Sequence, residues 1–422
     1  MKSMLWCCVV ACAFAPAAHA ASDAELDAIR GEIRALKDQY EARIKALEER
    51  LKAAEARAAE PAPAPPPAPV ASTQSSISAF NPAISAILAG QYANLSADPT
   101  RARLAGFPSA AIETGRRGFS LNESELQLSA NVDHKFAGNL VFSISPEDKV
   151  EVEEAFGTFN GAPFGVVPRF GRFLSGFGYL NEQHAHAWDF VDAPLAYQAF
   201  VGGQYRTDGV QLAWVAPIEH FVQLGVEGGN GAAFPGTERN KNGINSAVAF
   251  VKTGGDIGES HSWLAGISYL RTHAEGRPPA PGDDFALNAP FTGTSKLWNA
   301  SFVWKYAPNG NPHTTNFKFQ AEYFRALEDG NFSTRQNGWY AQGAYQFMPL
   351  WRVGLRYDRL GAGTFDLGFH PERGTAMVDW SPSEFSRLRL QIARAKLAPD
   401  FTDNELFVQY ILSLGAHGAH KF

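Results

Sequence analysis

Cysteine is nearly absent: Cys7, Cys8 and Cys12 are the three in 422 residues, and all fall within the first twelve positions. Cleavage of a leader after Ala20 would leave none. That excludes thiolate catalysis and cysteine metal sites, and it suits export through an oxidising compartment. Positive charge is also scarce. Lys and Arg number 37 against 43 Asp and Glu, a formal net charge of −6, so no basic excess points to nucleic acid. Long apolar runs are lacking too. Leu5 to Phe14, behind the basic Lys2, is too short to span a bilayer, and Ala18-His19-Ala20 supplies a small-x-small cleavage pattern. Residues 1–20 therefore read as a secretory signal. No nucleophile elbow, phosphate loop or paired-carboxylate motif stands out, so an enzyme is not expected.

What is present divides into three regions. Residues 21–60 are rich in Ala, Glu, Lys, Arg and Leu, with Leu26, Ile29, Ile33, Leu36 and Tyr40 spaced by three and four. The seam resumes after a four-residue slip as Ile44, Leu47, Leu51 and Ala54. This predicts a short coiled coil about 50 Å long. Isoleucine at both seam positions favours more than two strands, and a trimer is the expected state. Residues 61–76 form a Pro/Ala/Ser-rich linker, stiff and extended over Pro61 to Pro69.

From residue 77 to 422 the period is two. Leu406, Val408, Tyr410, Leu412 and Leu414 share one face of the last strand, while Glu405, Gln409 and Ser413 share the other. The same alternation runs through Trp263 to Tyr269, Trp298 to Trp304, Trp339 to Tyr345 and Leu388 to Ile392. One face is greasy and aromatic; the other is wet. Connections alternate between short turns, such as Met348-Pro349, and longer segments, such as Ser175 to Tyr205. About sixteen segments can be counted, enough for a barrel with a water-filled lumen. The expected fold is thus an all-β transmembrane barrel of about sixteen antiparallel strands, preceded by the helical coiled coil. Trp298, Trp304, Tyr306, Trp339 and Trp351 read as an interface girdle.

The chain ends on Phe422 in register with the apolar face, which resembles the assembly signal of bacterial outer-membrane barrels. The long third external connection follows Gly171-Arg172-Phe173 and resembles the constriction loop of sixteen-stranded porins. With the coiled coil, the chain resembles the phosphate-selective and carbohydrate porin superfamily. Leu180 to Pro194 and Leu414 to Phe422 resemble a narrower group of proteobacterial outer-membrane proteins, described as zinc-regulated or as TonB-dependent receptors. The resemblance implies an outer-membrane porin for passive diffusion of small hydrophilic solutes and ions. It also implies a homotrimer in outer-membrane lipid with its helix in the periplasm. Two departures stand out. Ser175 to Gln204 contains no Lys or Arg, unlike a phosphate-selective constriction, and a coiled coil stands where a TonB-dependent receptor has a plug.

Within the third connection, Glu182, His184, His186 and Asp189 offer imidazole and carboxylate ligands suited to zinc, either as ligand or as transported solute. His417 and His420 offer a weaker pair near the end of the chain. Arg352, Arg356 and Asp358 share one strand face, as do Arg387 and Arg389, and are expected to line the pore; Glu151 and Glu153 project together from an early strand. Opposed charged walls would set a transverse field across the lumen. No cofactor is required by this reading. Two alternatives keep the barrel: an uptake route for zinc or another divalent metal, and a structural tether whose coiled coil grips the cell wall or a periplasmic partner.

Overall fold

The computed structural model describes residues 83–107, 115–145, 149–279, 289–362 and 368–415, together with Lys37, Lys45 and Glu49, each helical. The signal segment, every residue of the coiled-coil seam, the linker, and His417, His420 and Phe422 lie outside the described residues. The chain divides into two compact units, Met1–Thr73 and Gln74–Phe422.

Seventeen strands lie among the described residues of the second unit. They begin with β1 (Ala83–Leu95), β2 (Gly118–Leu121), β3 (Ser124–Asn131), β4 (Phe136–Ile144), β5 (Val150–Phe159) and β6 (Val166–Leu174). After the third connection come β7 (Arg206–Val215), β8 (Phe221–Gly229), β9 (Ser246–Ile257), β10 (His261–Arg277), β11 (Phe291–Tyr306) and β12 (Asn316–Gly330). The last five are β13 (Ser333–Met348), β14 (Trp351–Ala362), β15 (Glu372–Ser383), β16 (Ser386–Ala398) and β17 (Phe401–Gly415).

Neighbours pair antiparallel in chain order, and β1 meets β17 from Ser85↔Gly415 to Leu95↔Glu405, closing the ring. Both β2 and β3 pair with β1, at Gly90↔Leu121 and Ile87↔Glu125 respectively. Four steps along one chain thus oppose three along the other, a bulge at Asn122 and Glu123 that splits one stave into two pieces. Seventeen strands therefore make sixteen staves. Short turns join them where local bonds suffice: Asp133 Oδ1 accepts from the Lys135 and Phe136 backbone N–H groups at 2.7 and 2.8 Å.

Period-two alternation decides which way each face points. In β14, Leu355 is 68% exposed whereas Arg356 is 3% and Asp358 0%. Leu388, Leu390 and Ile392 of β16, and Tyr410, Leu412 and Leu414 of β17, likewise face outward. Water would not tolerate so continuous an apolar exterior around a polar interior; lipid would. Trp351 and Trp380 stack 6.2 Å apart beside the short turns, and Trp298, Trp339 and Tyr306 are part-exposed on the same outer surface.

The inner face differs from the wet surface that alternation predicts. Leu270, Leu297, Phe324, Tyr340, Leu360, Leu397 and Phe401 are buried there, in one cluster with Leu104 and Phe107 of the first long connection. This apolar patch exists because a segment of the chain packs on it, and that segment is the third connection.

Candidate functional site

Residues 175–205 leave β6 and return to β7 through two bound feet. The Ser175 N–H donates to the Tyr205 carbonyl at 3.1 Å. Asn181, fully buried, ties the feet together: its Nδ2 donates to the Ser175 and Tyr205 carbonyls, both at 2.8 Å, and its Oδ1 accepts from the Tyr205 N–H at 2.6 Å. Glu227 of β8 accepts from the Gly176 N–H and the Ser175 hydroxyl at 2.7 and 2.6 Å.

The chain then turns at Gly178, φ +77°, where a side chain would strike the Tyr197 hydroxyl and the Glu322 carboxylate. Glu322 of β12 gathers the far side. It accepts from the Tyr179 and Leu180 N–H groups (3.0 and 3.1 Å), the Tyr197 hydroxyl (3.0 Å), Asn299 Nδ2 (2.9 Å) and the Tyr340 hydroxyl (2.6 Å). A buried carboxylate with this many donors is well satisfied without a neighbouring cation.

Further on lies a single helix, α1 (Leu195–Val201), of seven residues. Pro194 precedes it, Asp358 accepts from the Leu195 N–H at 2.9 Å, and Gly202 ends it in the left-handed region at φ 69°. Leu195, Tyr197, Phe200 and Val201 fill the apolar patch on the inner wall, with Phe200 stacked 6.0 Å from Phe324. The loop thus binds β3, β5, β8, β9, β12, β14, β15 and β16 at once. Only a segment lying across the lumen can touch staves so far apart around the ring.

Two walls of opposite charge receive it. On one, His184 Nδ1 lies 3.1 Å from Glu125 and 3.2 Å from Glu153, its Nε2 lies 3.3 Å from Glu154, and His186 Nδ1 lies 2.7 Å from Glu125. The imidazoles stack 5.7 Å apart. Burial works against a charged His184, but its hydrogen bonds to Glu125, Glu153 and Glu154 prevail and hold its pKa well above the ordinary imidazole range.

On the other wall, Asp189 pairs with Lys318 and Arg352, both at 2.9 Å, and Asp192 pairs with Arg356 at 3.0 Å and with Arg373. Arg389 bonds Asp379 at 2.7 Å and the Trp188 carbonyl at 3.1 Å. Burial would raise both loop carboxyls; Lys318 and Arg352 around Asp189, and Arg356 and Arg373 around Asp192, outweigh it and hold them below the usual carboxylate range.

Of the four metal-ligand candidates in the sequence, the structure brings together only His184 and His186. Glu182 is taken by Lys252, and Asp189 by Lys318 and Arg352, so neither carboxylate faces an imidazole. Arg352, Arg356, Asp358, Arg387 and Arg389 all face inward, yet Arg356, Asp358 and Arg389 are buried as anchors of the loop rather than bared to the lumen. Glu125, Glu227, Glu322 and Asn181 carry much of the attachment, and nothing in the sequence pattern singles them out.

No protein-family model matches the chain. A protein of Aquifex aeolicus (strain VF5), described only as uncharacterized, is 34% identical over 340 residues, covering 73% of this chain and 71% of that one. The two belong to one family. DcaP, an outer membrane channel of Acinetobacter baumannii, has the same fold at 13% identity, with a TM-score of 0.52 over 80% of this chain and 98% of that one. OprB of Pseudomonas putida is similar at 10% identity, TM-score 0.51, over 81% and 96%. The anion-selective porin of Comamonas acidovorans follows at 10% identity and 0.50, over 79% and 99%. At such identities the likeness concerns the fold, which is that of outer-membrane barrels.

Proposed function

We propose that this protein is a bacterial outer-membrane porin through which small hydrophilic solutes diffuse passively, filtered by residues 175–205. The observation that carries this reading is the loop itself, held across a sixteen-stave ring between a carboxylate wall and a guanidinium wall. A solute passing such a loop meets a transverse field that orders water and disfavours apolar molecules. Lys305, Lys318, Arg352 and Arg387 keep part of their surface open on the cationic side, which favours small anions over cations. The description of DcaP as a channel and of the Comamonas protein as an anion-selective porin agrees with this reading. In the same reading the barrel resides in the outer membrane as a homotrimer, with residues 21–60 as a periplasmic coiled coil.

Single-channel recording of the purified full chain in planar bilayers tests the proposal. Discrete, voltage-independent conductance steps are expected, with a reversal potential that shifts toward cations in an Arg352→Ala/Arg387→Ala variant. Folded protein that inserts without conducting would overturn it.

A further inference from the structure

Glu125, Glu153 and His184 form a group whose ligand atoms all lie within 4.8 Å of one another. They come from β3, β5 and the inward loop, so the group exists only where the loop meets the wall. Ligands about 2.0–2.1 Å from a tetrahedral ion stand about 3.3–3.4 Å apart. His184 Nδ1 already stands 3.1 and 3.2 Å from one oxygen of each glutamate.

The surroundings match what such a centre needs. A ligating histidine is oriented by a carboxylate on its other nitrogen, and Glu154 lies 3.3 Å from His184 Nε2. A ligating carboxylate is steadied on its free oxygen, and His186 Nδ1 lies 2.7 Å from the second oxygen of Glu125. Glu125, Glu153 and Glu154 are all buried, at 5%, 3% and 9% of side-chain exposure, while His184 keeps 21%. Three ligands and one side open to the lumen is the arrangement of a centre that also takes water or a passing solute.

Charge points the same way. A divalent ion would bring two positive charges to three buried carboxylates whose other neighbours are His186 and Arg169. We propose that Glu125, Glu153 and His184 bind one divalent cation of the zinc type and thereby pin the inward loop to the carboxylate wall. This set shares only His184 with the four residues that spacing alone suggests. It does not depend on the channel reading, since it is tested by binding and not by conductance.

The test uses the folded full chain in detergent, stripped with a chelator and titrated with zinc by calorimetry at pH 7.5. One zinc per chain is expected. His184→Gln and Glu153→Gln should each weaken binding about 100-fold or abolish it, and His186→Gln about 10-fold, as for loss of a group that only orients a ligand. Glu182→Gln should bind like the wild type. X-ray absorption on the zinc-loaded wild type covers the case in which a variant fails to fold: one imidazole among oxygen ligands is expected. The proposal is overturned if stripped wild-type protein takes up no stoichiometric zinc. It is equally overturned if His184→Gln and Glu153→Gln, folded by circular dichroism, bind zinc undiminished, or if absorption shows two or more imidazoles.

Discussion

Residues 183–187 and 188–193 adjoin in one loop, yet they grip the barrel with opposite chemistry. The first stretch brings imidazoles to a wall of carboxylates; the second brings carboxylates to a wall of guanidinium and ammonium groups. Because the loop contains no Lys or Arg, its attachment to the acidic side depends on groups whose charge is conditional. Attachment to the basic side uses charges that persist across the physiological range. One half of the loop is fastened permanently, and the other by a link that protons or a metal ion can alter.

The sharpest way to break this contrast is to remove the permanent half. Asp192→Ala leaves Arg356 and Arg373 buried opposite a missing partner, and losing one member of a buried pair costs about 3–5 kcal/mol. Urea unfolding in detergent should show that loss, together with protease cleavage within 188–193. A loss no larger than that of metal-free His184→Gln would erase the distinction between the halves. Asn181→Ala comes next, because it removes the partner of the Ser175 carbonyl and of the Tyr205 N–H, and one of the two donors to the Tyr205 carbonyl. About 2 kcal/mol is expected, with both halves loosened equally in hydrogen exchange. Loosening confined to one half would show that the feet do not act as a unit.

Tyr197→Phe should cost about 1 kcal/mol, since Glu322 retains its other donors. The smallest effect concerns pH. Folded-state carboxyls held below their ordinary value contribute stability that is fully present above about pH 4 and is lost only as pH falls through the folded pKa. Hydrogen exchange across 188–193 should therefore be unchanged between pH 7 and pH 5. A fall in protection over that interval would mean that Asp189 and Asp192 are not the anchors.

The barrel was legible because a strand with one lipid face and one water face writes its period into every second residue. Leu406 to Leu414 and Arg352 to Asp358 can be assigned to faces without coordinates. The loop's moorings were not legible, because each is a lone polar residue in an already polar row. Glu322 looks like any inner-face carboxylate until Tyr179, 143 residues earlier in the chain, arrives against it. Sequence spacing favoured Glu182 and Asp189 as companions of His184, but cations on distant staves claim both. The buried inner apolar patch escaped notice for a related reason: Phe324 and Leu360 read as breaks in alternation, and only the seated helix explains them.

The ring closes by pairing its first stave with its last, and the loop straddles that seam. His186 holds Glu125 on β3, while the Val191 N–H donates to Gln391 Oε1 on β16, 200 residues downstream. The moorings on β14, β15 and β16 are made late in the chain, after the loop itself has long emerged. The β3 and β16 moorings are brought within reach of one loop by the pairing of β1 with β17, so its full set of contacts requires the complete ring.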